Sequence, residues 1–134
     1  MNYSNTIFWV LKIIAAIIML QTLFFKFTAA PESVYIFSTL GAEPYGRMGT
    51  GIIELIASIL LLIPRTSFIG AMLGLGTMMG AILSHIFILG IVVQNDGGKL
   101  FVLGVITALC CALVAIKNKN QFTSLMRIFN GRKN

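Results

Sequence analysis

Four apolar runs, residues 6–27, 46–63, 67–93 and 100–116, take up nearly the whole of this 134-residue chain. They constrain its fold more than any motif does. A helix needs about 20 mostly apolar residues to cross roughly 30 Å of bilayer hydrocarbon, and a segment inside lipid must satisfy its backbone polar groups internally. Each run therefore reads as a membrane-spanning helix. Composition agrees, with 57% hydrophobic residues, 10% charged residues and a mean hydropathy of +0.94, values that place the chain among integral membrane proteins. The connections are a first loop over residues 28–45, the turn Pro64, Arg65, Thr66 and a loop QNDGGK over 94–99. Short connections make neighbours antiparallel. The expected fold is all-α: an antiparallel four-helix transmembrane bundle over residues 1–120, followed by a basic tail over 121–134.

The stretch before Thr28, Ala29 and Ala30 is longer than the apolar part of a cleavable signal and has no basic segment ahead of it, so it is read as the first span. Lys117, Lys119, Arg127, Arg132, Lys133 and Arg65 fall on one side of the membrane, and Lys26, Arg47 and Lys99 on the other. By the positive-inside rule both termini are expected in the cytoplasm. The net charge of +6 then reports topology and contact with anionic lipid; basic residues scattered around the membrane boundary give no support to nucleic-acid binding. Within the first loop, PESVYIFSTLG has a proline to open and a glycine to close a short interfacial helix, expected to lie over the outer end as a lid. QFTSLMRIF (121–129) carries Phe122, Leu125 and Phe129 in an amphipathic pattern suited to the inner leaflet.

Five polar residues are candidates for binding a ligand or handling protons: Glu54, His85, Gln21, Lys26 and Arg47. At 1.5 Å per residue, Glu54 stands roughly 15 Å above the Pro64 turn, near the midplane, and His85 at about 22–28 Å. Gln21, Lys26 and Arg47 fall nearer the height of His85, so the group describes an outward-facing polar layer with Glu54 beneath it. Arg47 and Glu54 share a face of the second span, Met78, Ala81 and His85 share a face of the third, and Lys12, Met19, Thr22 and Lys26 form a stripe on the first, with Gln21 about a third of a turn away. An ionisable group in a span is costly and is read first as functional; Glu54 is expected to be a neutral acid unless a cation such as Lys26 reaches down to it. Lys26 and Arg47 read primarily as interfacial anchors, and Lys12 as snorkelling to the inner surface. His85 serves equally as a packing residue or as a ligand.

Gly70, Gly74, Gly76, Gly80 and Ser84 recur at four-residue spacing in the third span, a pattern that lets helix backbones approach closely. Cys110 and Cys111 are adjacent, so their side chains diverge by about 100° on a helix and read as apolar filler, not as a disulfide. With one histidine and no H-E-x-x-H or CxxC spacing, no metal site is expected. GRMGTG has neither the lysine nor the strand of a phosphate loop.

The run FFKFTAAPESVYIFSTLGAEPYGRMGTGIIELIASILLLIP, followed by GAILSHIFILGI, resembles the DoxX-like family of small four-helix membrane proteins. Lys26 and Phe27, Gly46 to Gly51, Glu54 and His85 stand in the family's order over residues 5–116. The resemblance implies a bacterial inner-membrane protein. Some relatives belong to quinone-linked sulfur oxidation or membrane redox complexes, and distant ones assist folding or export of other proteins. The functional expectation is an accessory subunit of a membrane redox system, binding a quinone or similar apolar small molecule in the outward-facing polar pocket. The alternative is a non-enzymatic scaffold, chaperone or assembly factor for a client protein. The expected partners are the lipid bilayer, a membrane redox protein or client, and further copies of the chain. The transporter reading is weaker, since no inverted repeat or broken helix is visible.

Overall fold

The computed structural model describes residues 3–131; Arg132 and Lys133, counted above in the basic tail, lie outside the described residues, as does the side chain of Leu125. The elements are α1 (Tyr3–Phe27), α2 (Pro31–Thr39), α3 (Tyr45–Leu62), a 3-10 turn (Pro64–Thr66), α4 (Ser67–Ser84) continuing as a π-helical turn (His85–Leu89), α5 (Lys99–Lys117) and α6 (Lys119–Gly131). Among the described residues there is no strand. Four stretches are long and apolar enough to cross a membrane: Asn5–Phe27, Tyr45–Leu62, Pro64–Leu89 and Lys99–Lys117. The protein is a polytopic helical membrane protein.

The third span is shorter than the run 67–93 suggested. Gly90, at φ 81°, turns the chain out of the helix, and Val93 N–H then donates to the Asp96 carboxylate at 3.0 Å. The hydrophobic residues between them, Ile91 and Val92, are exposed and continue the apolar pattern without continuing the helix. In the first loop, Pro31 sits in the first turn of α2 and Gly41 follows its end at φ 73°. Both are placed as backbone stereochemistry favours.

The four long helices form a ring, with α1 and α4 each packed against α3 and α5. Small residues bring them together near the α3–α4 turn. A Cβ on Gly70 would overlap the Leu61 backbone nitrogen, and one on Gly74 would come within 2.9 Å of Cys111 Sγ. Ala15, Met19, Ala57, Leu61, Ala71, Cys111 and Val114 fill the space between. Gly76 and Gly80 behave differently from the close-packed glycines expected from their spacing. A Cβ on either would meet nothing within 4 Å, and Ser84 spends its hydroxyl on its own helix, donating to Gly80 O at 2.8 Å. Four-residue spacing brings these three toward one side of α4, but no helix closes on that side at their height.

At the turn end, α6 is anchored to the bundle. Phe68 N–H donates to Gln121 Oε1 at 3.0 Å, Gln121 Nε2 donates to the Pro64 carbonyl at 2.7 Å, and the rings of Phe68 and Phe122 stand 5.9 Å apart. Lys12 is buried, with its ammonium 4.6 Å from the centre of the Trp9 ring, about one turn toward the N-terminal end of α1. The cation–π contact replaces part of the lost hydration.

Candidate functional site

Away from the α3–α4 turn the bundle widens around a cavity of about 810 Å³, with Met19 and Met78 in its wall where the packed core begins. Its size lies within the range of small-molecule sites, roughly 300–1,000 Å³. Most of the wall is apolar, from Phe25, Ile36, Phe37, Ile53, Leu73, Leu100 and others, and into this wall project Gln21, Thr22, Lys26, Glu54, His85, Asp96 and Lys99. Glu32, Ser33, Ile36 and Phe37 of α2, with Leu40 just after it, contribute along its loop end, so the short helix covers the cavity as a lid does.

Glu54, 2% exposed, is the most deeply buried polar group of the site. It faces α1, and Lys26 Nζ donates to both its oxygens, at 3.1 Å to Oε1 and 3.0 Å to Oε2. Thr22 Oγ1 lies 2.9 Å from Oε2 and 2.7 Å from the Met19 carbonyl, and accepts from Lys26 Nζ at 3.2 Å. The threonine has one proton for two acceptors, so it adjusts to whichever oxygen carries more negative charge. The carboxylate retains a lone-pair site beyond these three contacts. This geometry corrects one expectation and decides another. Lys26 is no interfacial anchor, because its flexible stem lets the ammonium reach the carboxylate. The exception allowed for Glu54, a cation reaching down to it, is the case found, since that same ammonium lies against it.

Arg47, also expected as an anchor, is buried and stands outside the cavity wall. Its Nε donates to Glu43 at 2.9 Å and 3.1 Å, and its Nη1 donates to the Lys26 carbonyl. The guanidinium thus ties the start of α3 to the last turn of α1. It supports the backbone from which Lys26 extends, a positioning role.

His85 opens the π-helical turn, where the extra residue per turn frees a carbonyl and reorients the chain. Its Nδ1–H donates to Gly90 O at 3.0 Å, and its ring meets Phe101 edge-on at 5.8 Å. With Nδ1 committed to a carbonyl, Nε2 is the acceptor of the neutral ring. Asp96 shares the loop end of the cavity with it. Burial alone pushes the Asp96 carboxyl up, but N–H donors from Gly98, Val93 and Leu100, with a smaller electrostatic contribution from the nearby His85 ring, outweigh it and hold the group below its ordinary value of 3.8. Among the described residues no hydrogen bond joins Glu54 and His85; they occupy one cavity at different heights, and Gln21 lines it from α1.

The lysine, glutamate and late histidine thus meet on one cavity in the order noted in the sequence, and the chain matches the DoxX-like family over residues 10–115. The chain belongs to the DoxX-like family. No curated protein and no solved structure matches it. In this DoxX-like protein, sequence reasoning passed over Thr22, Asp96 and Lys99 as site residues. Thr22 was signalled by standing one helical turn before Lys26 on the same stripe. Asp96 was signalled by the two glycines after it, the second of which donates its N–H to the carboxylate at 2.8 Å. Among the described residues no group of three or more potential metal ligands occurs.

Proposed function

We propose that this DoxX-like protein is an accessory subunit of a membrane redox system and holds a quinone, or a similar apolar molecule with a small polar head, in the cavity. The reading is carried by the Lys26–Glu54 pair and His85 opening onto one largely apolar cavity of about 810 Å³. An apolar ring system is accommodated by Phe25, Ile36, Phe37 and Leu100, while a carbonyl can accept from Lys26 and a hydroxyl can donate to the remaining lone pair of Glu54 or to His85 Nε2. Glu54 and His85 are the groups able to take up or release a proton beside the ligand. On this reading the protein sits in the bacterial inner membrane, as the family resemblance implies, and the distribution of lysine and arginine supports an orientation with both termini in the cytoplasm.

The test is the ligand content of protein extracted in mild detergent. Near-stoichiometric quinone, lost on substitution of Glu54 by Leu in a variant that still folds, supports the reading; protein that carries no quinone and binds no added ubiquinone or menaquinone overturns it. One observation favours a second reading, a scaffold for a partner protein. Both Glu54 oxygens already have partners within the chain, so the pair can serve simply to clamp α1 to α3. A folded Glu54→Gln variant that is fully competent in complementation, together with a co-purifying partner and no ligand, would favour that alternative.

A further inference from the structure

The seam between α3 and α4 changes character along its length. At Leu61 and Gly70 the two backbones are in contact. Thr77 and Ser84 follow Gly70 at intervals of seven, so they point to the same side of α4, toward α3. In a seam closed along its length they would meet α3 as Gly70 does. Instead both line the cavity, together with Gly76 and Gly80, whose α-carbons face open space. Ile53 of α3 lines the same cavity yet is 44% exposed. The hydroxyls of Thr77 and Ser84 are spent on carbonyls of their own helix, leaving the flank apolar in its demands. The gap lies within Tyr45–Leu62 and Pro64–Leu89, both membrane-spanning stretches. What borders such a gap is hydrocarbon.

We infer that the cavity opens sideways into the bilayer between α3 and α4, and that its ligand is a tailed amphiphile whose head lies at Lys26 and Glu54 while its apolar tail leaves through this window. The inference rests on the proposed head-group site and adds the class of molecule and its route. Glu54 stands about 10 Å along α3 from the closed contact at Leu61, so a head at the carboxylate sits above the closed part of the seam and beside its open part. A tail directed there stays in an apolar medium throughout. A tail directed to the loop end would have to pass Asp96, Lys99 and Glu32, and burying such groups against hydrocarbon is costly.

The probe is decylubiquinone carrying a diazirine at the end of its tail, photolysed on protein held in phosphatidylcholine nanodiscs, with labelled peptides mapped by mass spectrometry and unmodified decylubiquinone as competitor. Competed label on Ile53, Leu73, Thr77 or Gly80 is expected. Competed label confined to α2 or to residues 90–98 overturns the lateral route while leaving the head-group site standing; no competed label anywhere overturns both. A Gly76→Leu, Gly80→Leu variant should keep the thermal stability of the parent, since neither new side chain meets a neighbour at its first carbon, and should lose the seam label. Seam label that survives in this variant also overturns the inference.

Discussion

Lys26 and Glu54, 28 positions apart in the chain, are held in a bidentate ion pair at 3.0 and 3.1 Å, with the carboxylate 2% exposed. A buried pair of this kind costs desolvation to form, and removing one partner strands the other. Lys26→Met and Glu54→Leu should each lower stability by ~3–5 kcal/mol, and the double variant should lose clearly less than the sum. Equilibrium unfolding of the four proteins in a denaturing-detergent titration measures this. Strict additivity would mean that the two groups do not depend on one another.

Glu54→Gln separates holding from proton transfer. The amide can accept from Lys26 and Thr22 through its oxygen but does not titrate near neutral pH. Folding, followed by thermal stability in detergent, should survive with a moderate loss. Quinone-dependent activity of the complex, or complementation, should fall steeply. Full competence of the folded variant would defeat proton handling at this position.

Gly70 and Gly80 should respond oppositely to the same change. Gly70→Ala places a methyl against the Leu61 backbone, which cannot move aside as a side chain can, so a loss of about 1–3 kcal/mol is expected. Gly80→Ala adds its methyl to open space and should change stability by less than about 0.5 kcal/mol. Thermal melts of the two variants in one detergent decide it.

Asp96 should make the α4–α5 connection acid-labile. Its folded-state pKa is depressed below 3.8, so the carboxylate contributes stability that is present above the unfolded value and lost as pH falls through the folded one. Protection of the Gly98 and Leu100 amides against hydrogen exchange, corrected for intrinsic rate, should hold from pH 6 to about pH 4 and decline below it. In Asp96→Asn the acid-dependent decline should disappear.

Topology is checked at two exposed positions, Asn95 and Ser124. Cys110 and Cys111 are buried, so an impermeant maleimide should report introduced cysteines with little background. Asn95→Cys is expected to label from outside whole cells and Ser124→Cys only after lysis. The reverse pattern would invert the orientation.

The sequence by itself determined the number of spans and the lid helix, because these depend on apolar run length and on local stereochemistry at Pro31 and Gly41; the end of the third span escaped it, because Ile91 and Val92 continue the apolar pattern past the turn at Gly90. It also marked Glu54 and His85 as costly groups in lipid. Three features depended on the tertiary structure. Whether Lys26 points to headgroups or to Glu54 depends on how far α1 and α3 slide past one another, a quantity that residue counting from a turn does not supply. Arg47 shares the Glu54 face of α3 but is turned away to Glu43 and the Lys26 carbonyl, which only the position of the α1 terminus could dictate. Gly70, Gly74, Gly76 and Gly80 carry the same local signal, yet two sit in contact and two beside a cavity. Glycine spacing only permits close approach; whether it occurs is decided by where neighbouring helices converge, here at Leu61 and Cys111, and where they splay.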